Sequence, residues 1–129
     1  MRKSGILNPD INSLLSRFRH TNTLVIADRG FPYWPELETI DISLVDDIPR
    51  VLEVLKAVKE CCVVGKAFMA EEFLQENSER TKRAFSKTFG ATPVTYEPHD
   101  LFKTRVPKAM GLIRTGETVQ YANMILESA

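Results

Sequence analysis

The sequence predicts an α/β protein, a three-layer α/β/α sandwich around a mainly parallel central sheet. Short continuous apolar runs such as Thr23-Leu24-Val25-Ile26-Ala27 read as strands covered on both faces. Other stretches space their apolar residues at the helical period, as Ile11, Leu14, Leu15 and Phe18 do. The two patterns alternate along 129 residues, which argues for a layered sheet-and-helix domain. That length suits one domain over residues 1–129, with enough chain to bury a real core.

Asn8-Pro9-Asp10 is a helix-start signal, and the stripe that follows predicts a helix ending near Arg19. After the first strand, residues 28–38 hold Gly30, Pro32 and Pro35 and must be loop. Ile40, Ile42 and Leu44 alternate with Asp41 and Ser43, a half-buried strand over 39–44. Asp46 and Asp47 place negative charge ahead of a helix carrying Val51, Leu52, Val54, Leu55 and Val58. Residues 62–69 read as a buried strand, and 71–89 as one long helix stopped by Gly90. A short strand over 93–96 precedes Pro98, placed to open a short helix. Residues 110–113 and 121–126 complete the set as two strands around Thr115-Gly116-Glu117.

Composition narrows the function classes. Lysine plus arginine equals aspartate plus glutamate at 17 each, a net charge of zero, so no basic excess points to nucleic acid or an acidic membrane. Neutrality also leaves little self-repulsion between copies. The N-terminus is basic but lacks an apolar signal core, and no run approaches 18 apolar residues. The expected location is the cytoplasm. Cys61 and Cys62 are adjacent and fit no zinc spacing; they are expected to be small buried side chains with free thiols.

Dinucleotide, phosphate-loop, serine-hydrolase and zincin motifs are all absent. What remains is a set of polar residues at element ends. His20 follows the first helix, where an imidazole serves equally as a helix cap or as a group titrating near neutrality. Asp28 ends the first strand, either as a turn opener or as a site residue, since ligands of open α/β sheets sit beyond the carboxyl ends of strands. His99 and Lys103 share a helix face, which is a solvated basic face unless something faces it. Tyr121 and Asn123 point the same way if they lie on a strand. The loop Phe31-Pro32-Tyr33-Trp34-Pro35 carries stiffly held rings that could stack on a sugar, plug the core or meet another subunit. Two imidazoles, a carboxylate, an amine, a phenol and an amide suit cofactor-free proton transfer, such as opening a sugar hemiacetal.

Gly5-Ile6-Leu7-Asn8, His20-Thr21, Val25-Ile26-Ala27-Asp28, Ile113-Arg114-Thr115-Gly116-Glu117 and Tyr121-Ala122-Asn123 resemble the D-ribose pyranase and L-fucose mutarotase family. The similarity runs from near the first residue to the last strand. It implies an isomerase without metal or cofactor that interconverts ring forms or anomers of a free monosaccharide. It also implies ring-shaped homo-oligomers, commonly decamers, with sites near subunit contacts. By resemblance His20 is the acid/base residue and Asp28 its partner. His99, Tyr121 and Asn123, with Asp28, match sugar-binding positions, and Lys103 a lysine near the pocket. Asp28-Arg29-Gly30-Phe31-Pro32 mixes the patterns of the ribose and fucose branches, and Arg29 fits neither. Tyr121-Ala122-Asn123 follows the ribose branch, so D-ribose is the expected substrate. L-fucose or another sugar, or a non-catalytic sugar-binding subunit on the same fold, are the alternatives.

Overall fold

The computed structural model covers residues 1–129. Helix α1, Pro9–Ser16, starts where expected: Asn8 Oδ1 accepts from the Asp10 and Ile11 N–H groups at 2.9 and 3.0 Å. It ends three residues early, because the Arg17 and Phe18 N–H groups bond to carbonyls three residues back and tighten the last turn. His20 therefore caps no helix. It lies exposed in the turn before β1, Thr23–Ala27.

Strand β2 is only Thr39–Asp41. The alternation beyond it is misleading, since Leu44 is exposed in a tight hairpin closed by the Leu44 N–H to Ile48 carbonyl bond. Helix α2, Val51–Cys61, buries Val51, Val54, Leu55 and Val58. Its first turn is not served by Asp46 or Asp47. Glu53 accepts from the Arg50 N–H and Glu117 from the Val51 N–H. Strand β3 is Val64–Ala70.

The expected single long helix is two, α3 at Glu72–Glu76 and α4 at Glu79–Phe89. Asn77 is extended, and its side-chain amide donates to the Phe73 and Gln120 carbonyls, both at 2.9 Å. Ser78 then caps α4 by accepting from the Thr81 N–H. Gly90, at φ 59°, ends α4 as expected. Strand β4, Val94–Glu97, leads through Pro98, the cap rather than the first helical residue, into α5, His99–Arg105. A 3-10 turn, Val106–Lys108, precedes β5, Gly111–Arg114, and β6 is Met124–Ser128.

The sheet order is β2-β5-β1-β6-β3-β4. Five strands run one way, and β6 runs against both its neighbours. The sheet is thus mainly parallel, with one reversed strand in its middle. Leu24 and Ile26 of β1 enter a core with α1, α2, α3 and α4, whereas Val25 and Ala27 pack with Phe102 and Val106 on the other face. That division makes three layers. To leave β5 and return as β6, the chain must cross the carboxyl end of β1, and residues 115–123 make that crossing.

Candidate active site

A cavity of about 430 Å³ opens at the carboxyl end of β1. One wall is the loop Asp28–Pro32, another the 117–123 crossing, and His99 closes a third side from the start of α5. Asp28 and Asn123 are bound reciprocally. The Asp28 N–H donates to Asn123 Oδ1 at 2.7 Å, and Asn123 Nδ2 donates to Asp28 Oδ2 at 3.2 Å. Asp28 Oδ1 accepts from the Gly30 N–H at 3.0 Å, so the residue is both turn opener and cavity carboxylate. Burial raises the Asp28 carboxyl above its ordinary value of 3.8; bonds from Gly30, Asn123 and Phe31 and the Arg114 charge pull the other way.

Tyr121 sits at φ 55°, in the left-handed region, before β6 begins. It and Asn123 reach the cavity from a turn, not from strand alternation. The Tyr121 ring meets His99 edge-on, centroids 5.3 Å apart, and Phe102 lies parallel to His99 on α5. His99 Nδ1 is buried without a partner. A polar atom in that state is costly until a partner reaches it. The His99 N–H donates to both oxygens of Glu72 at 3.1 Å, which fixes the start of α5.

Two of the expected residues do not join this cavity within the chain. His20 precedes β1, while Asp28 follows it, and five strand residues span about 16 Å. Lys103, half-buried on α5, does not line the cavity although it shares a face with His99. The aromatic loop divides its roles: Phe31 is buried and lines the cavity, Trp34 packs against it, and Tyr33 is exposed.

Several supporting residues carried too weak a signal to be singled out as site residues. Arg114 Nη1 and Nη2 donate to the Asp28, Arg29 and Pro32 carbonyls and hold the loop in its bend. Glu117, 2% exposed, accepts from the Val51, Thr118 and Val119 N–H groups and from Arg50. An acidic residue directly after a glycine at a strand end was the available hint. Arg29 lies at the cavity rim, its guanidinium paired with Asp46 at 2.7 Å.

The profile of the RbsD / FucU transport protein family matches residues 1–129. The chain belongs to that family. D-ribose pyranase of Geobacillus kaustophilus is 42% identical over 128 residues, covering 99% of this chain and 93% of the relative. D-ribose pyranase of Halalkalibacterium halodurans is 41% identical, covering 99% and 97%. Among solved RbsD / FucU structures, Bacillus subtilis RbsD complexed with D-ribose superposes with a TM-score of 0.91 at 32% identity, covering 100% of this chain and 98% of that one. The Streptococcus pneumoniae fucose mutarotase complexed with L-fucose has a TM-score of 0.76 at 22% identity over 95% and 92% of the two chains, a likeness of fold.

Proposed function

We propose that the chain is a pyranase for a free monosaccharide, D-ribose above all, working in the cytoplasm without cofactor. The observation that carries this is the Asp28–Asn123 pair in a polar cavity that His99 and Tyr121 also line. Ring opening removes a proton from the anomeric hydroxyl and delivers one to the ring oxygen. The aldehyde then recloses on its other face or through a different hydroxyl. Asp28, made more basic by burial, accepts or orients the first proton, and positioned acid–base groups contribute roughly 10²–10⁴-fold each. Asn123, Tyr121 and His99 hold the remaining hydroxyls. D-ribose is favoured because the relatives that cover the chain at about 40% identity are D-ribose pyranases.

His20 has its place in this scheme on a second copy. It lies exposed at the amino end of β1, so a head-to-tail contact that closes into a ring would carry it to a neighbour's cavity. A decamer is the expected ring, with Lys103 near the same contact. The hairpin 44–49 supports association: Leu44, Val45 and Ile48 are exposed there, beside the cavity rim. Apolar side chains grouped in that way mark contact surfaces.

Saturation-transfer NMR on equilibrated sugars tests the activity. Exchange of D-ribose forms without exchange of L-fucose is expected, and sugar binding with no exchange above buffer would make the chain a binding subunit. Shared sites are tested by mixing. H20A and D28N are each expected to be inactive, yet co-assembled in equal amounts they should recover about one quarter of wild-type exchange, because that share of interfaces pairs an intact His20 with an intact Asp28. Two inactive variants without recovery would overturn the shared site, and an H20A variant with wild-type exchange would remove His20 from the reaction.

A further inference from the structure

Cys61 and Cys62 take no part in the cavity and lie at the far end of α2 from it, an 11-residue helix about 16 Å long. Successive side chains on a continuing helix diverge around its axis. Here the helix stops between the two: Cys61 is its last residue, and Cys62 is extended at φ −134°, ψ 148°. The sulfurs converge to 3.7 Å, with Cys61 exposed and Cys62 half-buried. They are badly placed for a disulfide, because adjacent Cα atoms lie about 3.8 Å apart and a disulfide wants roughly 4.4–6.8 Å.

The separation suits a shared thiophilic centre instead. Two sulfurs bound at about 2.3 Å to one pyramidal trivalent atom, whose bonds lie nearly at right angles, sit about 3.3–3.5 Å apart, so a small rotation of the two side chains brings this pair onto such an atom without backbone movement. No cluster of three or more histidine, cysteine, aspartate or glutamate side chains surrounds the pair. The centre must therefore need only two protein ligands and bring its remaining bond with it. We propose that Cys61 and Cys62 form a chelating dithiol site for a monosubstituted trivalent arsenical.

The reaction is a condensation without redox change. The As–O bonds of an organoarsenic oxide are replaced by two As–S bonds, and the two thiol protons leave with the oxygen as water. Burial and the neighbouring thiol push Cys62 up to about 11, so this residue enters as a thiol and its proton is available to the departing oxygen.

Phenylarsine oxide titrated into the reduced full-length protein is the test, read by free-thiol assay and intact mass. These are the only two cysteines in the chain. One arsenical per chain is expected, consuming both thiols and adding the mass of the arsenical less one water. Ethanedithiol should strip the adduct, whereas a monothiol at equal concentration should not. C61S and C62S should each weaken binding by about 100-fold or more, since the second As–S bond then has no intramolecular partner. Cys61 is exposed, so C61S retains the fold and remains informative if C62S does not. Two arsenicals per chain, one thiol lost per arsenical, or wild-type affinity in C61S would each overturn the site.

Discussion

Asp28 shows most directly how one residue balances stability against chemistry. Its carboxyl is raised by burial, so the folded state holds that proton more tightly than the unfolded chain does. The stabilisation is complete below the unfolded value and is lost as pH rises through the folded one. Ionising Asp28 therefore costs the fold some stability, while it supplies the cavity with a carboxylate. D28N is expected to unfold by denaturant at pH 7 no earlier than wild type, while sugar exchange falls by roughly 10²–10⁴-fold. Wild-type exchange should itself decline on acidification as Asp28 takes up its proton, beginning above the ordinary aspartate range. The sequence left Asp28 open between turn opener and site residue, and the structure shows it in both places, accepting from the Gly30 N–H and lining the cavity. Tyr121 and Asn123 line the cavity by another geometry than expected: strand alternation was to present them, and a left-handed turn at Tyr121 does so instead. Such a φ is a product of tertiary packing, and a tyrosine carries no glycine-like signal for it.

At the scale of elements, the strands and helices that bury a full stripe were readable, as β1 and α2 show. Boundaries failed where a local side-chain bond competed with the apolar pattern. Ser78 breaks the 71–89 helix because its hydroxyl offers the Thr81 N–H an alternative partner. Leu44 extends an alternating pattern into a hairpin that never joins the sheet. What anchors that hairpin is the 115–123 crossing: Gly116 donates to the Pro49 carbonyl and accepts from the Asp47 N–H, and a Cβ at Gly116 would run into the Val45 carbonyl. Glu117 ties the same crossing to the start of α2. G116A must push the hairpin away and should cost about 1–3 kcal/mol in equilibrium unfolding, the usual range for overpacking. E117A strands the buried Val51 N–H with its partner gone. A loss of about 1–3 kcal/mol is expected, accompanied by weaker sugar binding because Thr118 and Val119 line the cavity. Unchanged stability in both variants would show that the crossing is held by other means.

For the whole molecule, the fold brings together one carboxylate, one imidazole, one phenol and one amide, and leaves a second imidazole outside. The sequence could suggest these residues but not which of them share one cavity, because that depends on how the 115–123 crossing folds over the strand ends. The exposed hairpin side chains turn the question into an experiment. V45D with I48D places two charges on an exposed surface where neither needs burial in the single chain. The variant is expected to keep its circular dichroism spectrum, to elute as smaller species in size-exclusion chromatography, and to lose exchange together with assembly. Full activity in the smallest species would mean that one chain suffices.

The reversed middle strand has a consequence for synthesis. The two groups at the heart of the cavity come from positions 28 and 123, so they first meet when the last strand slots between β1 and β3. Without β6 the sheet lacks the strand that joins β1 to β3, and the cavity lacks Asn123. Sugar binding thus reports on completed folding, and a ligand present during translation could stabilise only finished molecules.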